Sequence, residues 1–328
     1  MSKLAEVEVV LSHSERLPVV DVWLIIDILR ATTVMTSWFE AGGGDLYPSE
    51  SVEEALNLAA SLKKDGQTPV LMGERNAIAP EGFDLGNSPL DITRDLVSRH
   101  SCAVMATTNG TKALLKAAST GRPVFAACAR NAFAALNTAL SRGSRIGIFC
   151  SGRKGRPAWD DTLCAGLFIS RLKDYFPETR CSDSARLALL AWRGASENAL
   201  PGNASVSVAS VESSRFEYSV RTADHAVFLK KIGFGDDIAF ASRVDATDVV
   251  PELHEQPEGD GMRAVMRPSH GEAHAILQKD LLDSPAVIKP RAAPLEGKLS
   301  DNQDGSYVFF AGKEYEKWHG NKRGPDER

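Results

Sequence analysis

Several things are missing from this sequence, and each absence closes off a class of function. No Cys-x-x-Cys pair occurs. The five cysteines, at 102, 128, 150, 164 and 181, are odd in number, and several sit in apolar runs such as IGIFC and LCAGLF. A disulfide framework and a cysteine–zinc module are not expected; the cysteines read as reduced, cytosolic and mostly core. Basic charge is not in excess. Lys and Arg number 38 against 43 Asp and Glu, for a formal net charge of -5, so nucleic acid is not an expected partner. No apolar run approaches the ~20 residues of a membrane helix. The opening MSKLAEVEVVLSHSERL has neither the apolar run nor the small-residue cleavage site of a signal peptide. The expected protein is cytoplasmic, with no membrane partner; a homo-oligomer is compatible with it.

Catalytic signatures are missing too. There is no GxxxxGK[ST] phosphate loop. Position 29 is Leu, so no Asp-x-Asp follows the strand that carries Asp27. The seven histidines, at 13, 100, 225, 254, 270, 274 and 319, all fall outside the polar motifs described next.

What is present is an alternation of short apolar strands and helical patterns over the first two-thirds of the chain. VEVVLS (7–12), VWLIIDIL (22–29), PVLMGE (69–74), CAVMATT (102–108), VFAACA (124–129) and RIGIFC (145–150) read as strands. Helical patterns follow most of them, and SVEEALNLAASLKKDG (51–66) opens with a capping-box spacing, Ser51 to Glu54. This predicts an α/β fold of three layers around a mixed, largely parallel sheet. DSARLALLAWRGA (183–195) predicts one more helix. From His254 onward the chain is rich in Pro, Gly and mixed charge. The expected organisation is one domain over 1–253 and a C-terminal extension over 254–328, weakly ordered or laid on the surface.

Polar residues collect where the strands end: ILRATT after VWLIID, ER after PVLMG, NGT after VMATT, RN after AACA and SGRKG after IGIFC. In open α/β sheets ligands bind at the carboxyl ends of strands, beside helix N-termini that attract anions. The coincidence predicts a small anionic, phosphate-type ligand. Asp27 interrupts an apolar run, and a buried carboxylate needs a metal, an ion pair with Arg30 or a capping role. Asp160 and Asp161 suit a Mg²⁺ site or helix capping. PEGFDLGNSP (80–89) could be a binding loop or a plain surface loop. CSGRKGR (150–156) has the Cys-x5-Arg spacing of a cysteine phosphatase, with Cys150 as thiolate and Arg156 as phosphate holder. Its flanks, Phe149 and Pro157, depart from that loop.

Taken together, IIDILRATT (25–33), GERNAIAPEGFDLGNSP (73–89), TTNGTKAL (107–114), ACARNA (127–132), CSGRKG (150–155) and DDTLCAG (160–166) resemble the 2-phosphosulfolactate phosphatase family, the ComB type of coenzyme M biosynthesis. GFGDDIAFASRVDATDVVP (233–251) resembles its closing segment. The resemblance covers about residues 5–253. It implies a Mg²⁺-dependent phosphatase acting on phosphate esters of small 2-hydroxy acids. On that reading Asp27, Glu74 and Asp161 hold the metal, and Asp27, Arg30, Cys150 and Asp161 form the catalytic group. Substrate binding falls to Thr32, Thr33, Asn87, Ser88, Thr108, Asn109, Gly110, Thr111, Arg130, Asn131, Ser151, Gly152 and Lys154, with Lys154 meeting the ester's sulfonate or carboxylate. The attacking group is left open between water, Asp27 and Cys150. A metal-free cysteine phosphatase and a non-catalytic phosphate-ester binder are the alternatives.

Overall fold

The computed structural model describes residues 6–197, 208–258, 261–269, 299–301 and 307–309. Six of its strands fall where the apolar runs predict: β1 (Glu6–Val10), β2 (Val22–Ile26), β4 (Pro69–Gly73), β5 (Cys102–Ala106), β6 (Val124–Ala127) and β7 (Arg145–Cys150). Added to them are β3 (Leu46–Ser49), β8 (Arg180–Cys181), β9 (Pro251–Glu258) and β10 (Gly261–Pro268). Together they form one ten-stranded sheet in the order β4-β5-β3-β10-β9-β6-β2-β7-β1-β8. Pairing is parallel between β1 and both β7 and β8, between β2 and both β6 and β7, and between β5 and both β3 and β4. The mixed, largely parallel sheet is as expected.

The expected domain boundary at 253 cuts through a strand. β9 pairs with β6, and β10 pairs with β9 along its whole length and with β3 through Met266 opposite Leu46. All three links are antiparallel, so β3-β5-β4 forms one parallel half, β6-β2-β7-β1-β8 the other, and the hairpin joins them. Residues 254–258 and 261–268 are thus part of the sheet, with Val265 and Met266 fully buried. Their charges and prolines mask the strand signal, so composition alone assigns them to the extension. Of the expected extension, 259–260, 270–298, 302–306 and 310–328 lie outside the described residues. A second unit, Pro285–Arg328, contains a two-stranded antiparallel ladder of β11 (Leu299–Asp301) and β12 (Tyr307–Phe309).

Alternation along the strands sorts side chains into cores. Val22, Leu24 and Ile26 of β2 join the cluster that includes α5 (Ala132–Arg142), α6 (Trp159–Tyr175) and α7 (Asp183–Glu197). Trp23 and Ile25 face the other way, into a cluster shared with α1 (Ala31–Glu40) and α4 (Gly110–Ala118). The same cluster takes Val70, Met72, Ala103 and Met105 from the other half of the sheet. Cys102, Val104 and Ala106 point outward against α2 (Val52–Lys64). The second cluster draws on both halves, and Ala31 through Phe39 of α1 are all buried. The polar residues of α1 satisfy themselves: Thr36 donates to the Thr32 carbonyl and Ser37 to the Thr33 carbonyl.

Side-chain caps open α2 and the short α3 (Arg94–Ser98), where Thr93 accepts from the Leu96 N–H. Ser51 accepts from the Glu54 N–H, as the capping box predicts, although the Glu54 carboxylate returns to the Glu50 N–H rather than to Ser51. Three further helices, α8 (Val208–Val220), α9 (Asp224–Lys231) and α10 (Gly235–Ala241), follow α7.

Candidate active site

The loops after β2, β4, β5 and β7 converge on a cavity of about 350 Å³, together with one face of α9. Asp27 ends β2 and is tied down on every side. Its backbone carbonyl accepts from the Thr32 N–H and hydroxyl, and its Oδ1 accepts from the Ala31 N–H at 3.1 Å. Thr32 also accepts from the Asp27 N–H, and Thr33 donates to the Ile28 carbonyl. Both threonines are fully buried. They hold the turn that presents Asp27 and do not line the cavity. Burial raises the Asp27 pKa to about 6, with Glu74 adding to the rise and the Ala31 hydrogen bond and His225 opposing it.

Glu74 enters the cavity from the end of β4. Its Oε1 accepts from the Thr108 N–H at 2.7 Å, its Oε2 from the Ala77 N–H at 2.8 Å. Thr108 and Asn109 close the same wall. The Thr111 hydroxyl and N–H bond back to Thr107, which leaves Asn109 and Gly110 at the open N-terminus of α4. Gly110 packs so tightly that a Cβ there would lie 2.5 Å from Ala31 Cβ and 2.7 Å from Asp27 Oδ2. The absence of a side chain at this position is what lets the two loops meet.

Two lining residues carry a buried oxygen with no hydrogen-bond partner, Oδ1 of Asn87 and Oγ1 of Thr108. Arg30 lines the cavity but is not a free cation. It donates to Asp237 at 2.6 Å and to the Ala77 carbonyl, with its guanidinium over the Phe234 ring. Ser88 donates to the other oxygen of Asp237. The pair is fully buried, so Arg30 and Ser88 anchor α10 to the site rather than face ligand.

CSGRKGR folds as a tight hairpin turn. Arg153 and Arg156 exchange backbone hydrogen bonds across Lys154 and Gly155, both at positive φ. This presents Arg153 and Lys154 to the cavity while Arg156 turns to a second cavity of about 590 Å³. Cys150 is fully buried and donates to the Asp161 carbonyl. Burial, with Asp161 and Asp160 nearby, pushes its pKa well above the ordinary thiol value. A thiolate is disfavoured there, and Arg156, its expected phosphate-holding partner, lines the other cavity.

Asp161 also lies off the cavity. Its Oδ1 accepts from the Ile28 N–H, its Oδ2 from the Gly152 N–H and the Ser151 hydroxyl. It stitches the β2 loop to the β7 loop, with Ser151 and Gly152 as its partners. Burial and the charges of Asp160 and Asp27 raise its pKa well above the carboxylate range, in spite of those three donors.

Arg130 and Asn131 are not brought to the cavity. Arg130 pairs with Glu40 at 2.7 Å and stacks on Phe240. Asn131 spends its amide on the Cys128 N–H and on the Ala126 and Val249 carbonyls. Of the expected residues, the cavity gathers Asp27, Arg30, Glu74, Asn87, Thr108, Asn109 and Lys154. It adds Arg153, Asn76, His225 and Phe228. His225 and Phe228 come from α9, whose sequence, DHAVFLKK, reads only as an amphipathic helix. Asp237 lies in the closing segment that carried the resemblance, and its charge was the available signal.

A family model described as 2-phosphosulpholactate phosphatase matches residues 9–256. The chain belongs to the 2-phosphosulpholactate phosphatase family. Relatives named "Probable 2-phosphosulfolactate phosphatase" include one from Deinococcus radiodurans, 33% identical over 71% of this chain and 88% of its own length. Another, from Clostridium novyi, is 33% identical over 70% and 88%, and one from Thermus thermophilus is 35% identical over 73% and 90%. The family match runs to residue 256, into β9. No helix among the described residues is long and apolar enough to cross a membrane.

Proposed function

We propose that this chain is a phosphoric monoester hydrolase that acts on phosphate esters of small 2-hydroxy acids, 2-phosphosulfolactate first among them, with Mg²⁺ as cofactor. The observation that carries the reading is one cavity in which Asp27 and Glu74 face Arg153 and Lys154 beside the N-terminus of α4.

Among the described residues no cluster of three or more His, Cys, Asp or Glu could hold a metal ion. Mg²⁺ does not need one. It takes one or two carboxylates and fills its remaining positions with water and substrate oxygens. Asp27 and Glu74 would hold it, and the unpartnered oxygens of Asn87 and Thr108 complete an all-oxygen surround that suits this hard ion. Asp161, expected as a third ligand, is left out because its oxygens are engaged off the cavity. When bound, Mg²⁺ supplies positive charge that neutralises phosphoryl oxygens and orients the attacking group.

The chain's own groups do the rest. Lys154 and Arg153 bind the two anionic ends of the ester, its phosphoryl group and its carboxylate or sulfonate. The open N–H groups of Asn109 and Gly110 favour a phosphoryl oxygen. Phe228 closes one wall and limits water.

Phosphate release from 2-phosphosulfolactate by the purified chain tests this. Turnover should stop in EDTA and return with added Mg²⁺. Undiminished turnover in EDTA would remove the metal from the reading. Failure to release phosphate from any 2-hydroxy-acid ester would leave only an ester-binding protein.

A further inference from the structure

His225 stands between the two cavities and lines both. It lies in the first turn of α9, with its side chain 21% exposed, and it makes no hydrogen bond among the described residues. Its Nδ1 faces Asp160 Oδ2 at 3.7 Å. Asp160 is only 2% exposed, and its other oxygen, Oδ1, is buried without a partner. A buried carboxylate with a spare acceptor beside an imidazole is an incomplete arrangement. The distance is long for a hydrogen bond, but catalytic contacts are often loose without substrate.

We infer that His225 is the general acid that protonates the departing ester oxygen, with Asp160 as the residue that positions its ring; this rests on the phosphatase reading above. The alkoxide of a 2-hydroxy acid is a poor leaving group, so its departure needs a proton at the moment the bond breaks. Arg153 cannot give one, because guanidinium does not deprotonate in proteins. The imidazolium of His225 can, from Nε2, while Asp160 holds Nδ1–H. A water oxygen forms the new bond to phosphorus, the P–O ester bond breaks, and its electron pair stays on the ester oxygen. The Nε2 proton joins that oxygen to give the free hydroxy acid. Water's two protons leave with the phosphate, and one returns to the imidazole, which restores the imidazolium.

The test compares two substrates with very different leaving groups, 2-phosphosulfolactate and p-nitrophenyl phosphate. Nitrophenolate leaves without protonation, so it does not need the acid. His225→Asn should lower kcat for the alkyl ester by about 10²-fold or more, within the range removed with a general acid, and lower it far less for the aryl ester. Asp160→Asn should show the same selectivity with a smaller loss. The aryl ester also reports that each variant is folded and can bind phosphate. Equal losses on both substrates, or no loss on the alkyl ester, would overturn the inference and leave His225 as a wall residue. Wild-type inactivity on both would overturn the phosphatase reading with it.

Discussion

Replacing Asp27 with Asn separates what this carboxylate does for the chemistry from what it does to the fold. Burial lifts its pKa from 3.8 to about 6. The native state therefore holds this proton more tightly than the unfolded chain does, and stability falls as pH rises between about 4 and about 6. A shift of about two units, at 1.36 kcal/mol each, makes ionised Asp27 destabilising by roughly 3 kcal/mol above pH 6. Asn has the same shape without the charge, and its Oδ1 can keep the Ala31 N–H bond. In urea titrations at pH 7.5 with EDTA, so that no cation offsets the charge, Asp27→Asn should be more stable than wild type by roughly 3 kcal/mol. At pH 5 the unfolded carboxyl is still mostly ionised and the native one mostly protonated, so the advantage should shrink to about half. Phosphatase turnover should be abolished at both pH values. A variant less stable than wild type at pH 7.5, or an advantage that does not change with pH, would refute the argument that burial of a charge strains this site.

Further expectations concern the packing around it. Cys150→Ser should lose about 1–3 kcal/mol of stability, since it puts a hydroxyl into an apolar setting, yet its turnover should remain measurable and EDTA-sensitive; a folded, inactive variant alongside an EDTA-resistant wild type would restore the cysteine mechanism. Gly110→Ala should reduce kcat sharply and cost about 1–3 kcal/mol by overpacking against Ala31 and Asp27; unchanged kinetics would show that the two loops can separate freely. A chain ended at Leu253 should not unfold cooperatively, whereas one ended at Ser269 should, as read by circular dichroism in urea. Burial of Val265 and Met266 alone contributes roughly 3–6 kcal/mol, against a total of about 5–15 kcal/mol for a typical protein. A stable, active 1–253 chain would show that the hairpin is an accessory.

How much of this was legible in the sequence depends on how local each feature is. Asp27, Glu74 and Thr108 could be found because each follows an apolar strand directly, and strand ends in α/β folds face ligands. Arg130 and Asn131 follow a strand in the same way, yet Glu40, Phe240 and the Val249 carbonyl claim them. Nothing in ACARNA distinguishes a bound anion from a carboxylate such as Glu40, 90 residues away in the chain. Arg30 reaches the cavity as expected, but its ion-pair partner, Asp237, 207 residues away, is equally out of local view. His225 escaped because helix periodicity says which face is apolar but not what that face meets. The β9–β10 hairpin escaped because its links to the rest of the sheet, to β6 and β3, are distant in sequence, and proline at 251, 257 and 268 weakens its local signal.

That hairpin also bears on how the site comes to exist. Glu74, Thr108 and Asn109 belong to the half of the sheet built from β3, β5 and β4, whereas Asp27, Arg153 and Lys154 belong to the half around β2 and β7. Three successive antiparallel links, β6 to β9 to β10 to β3, make these halves run in opposite senses along the sheet. In a flat sheet their carboxyl ends would lie on opposite edges. They meet because both halves pack on α1 and α4, with Gly110 against Asp27 at the closest point. The two carboxylates are thus brought together by packing on shared helices, not by neighbouring strands. A perturbation that loosens β10 from β3 should widen the distance from Asp27 to Glu74 before it disturbs either loop. The prolines and charges of 251–258 and 261–268 are as much a part of the site's construction as the motifs that carry its chemistry.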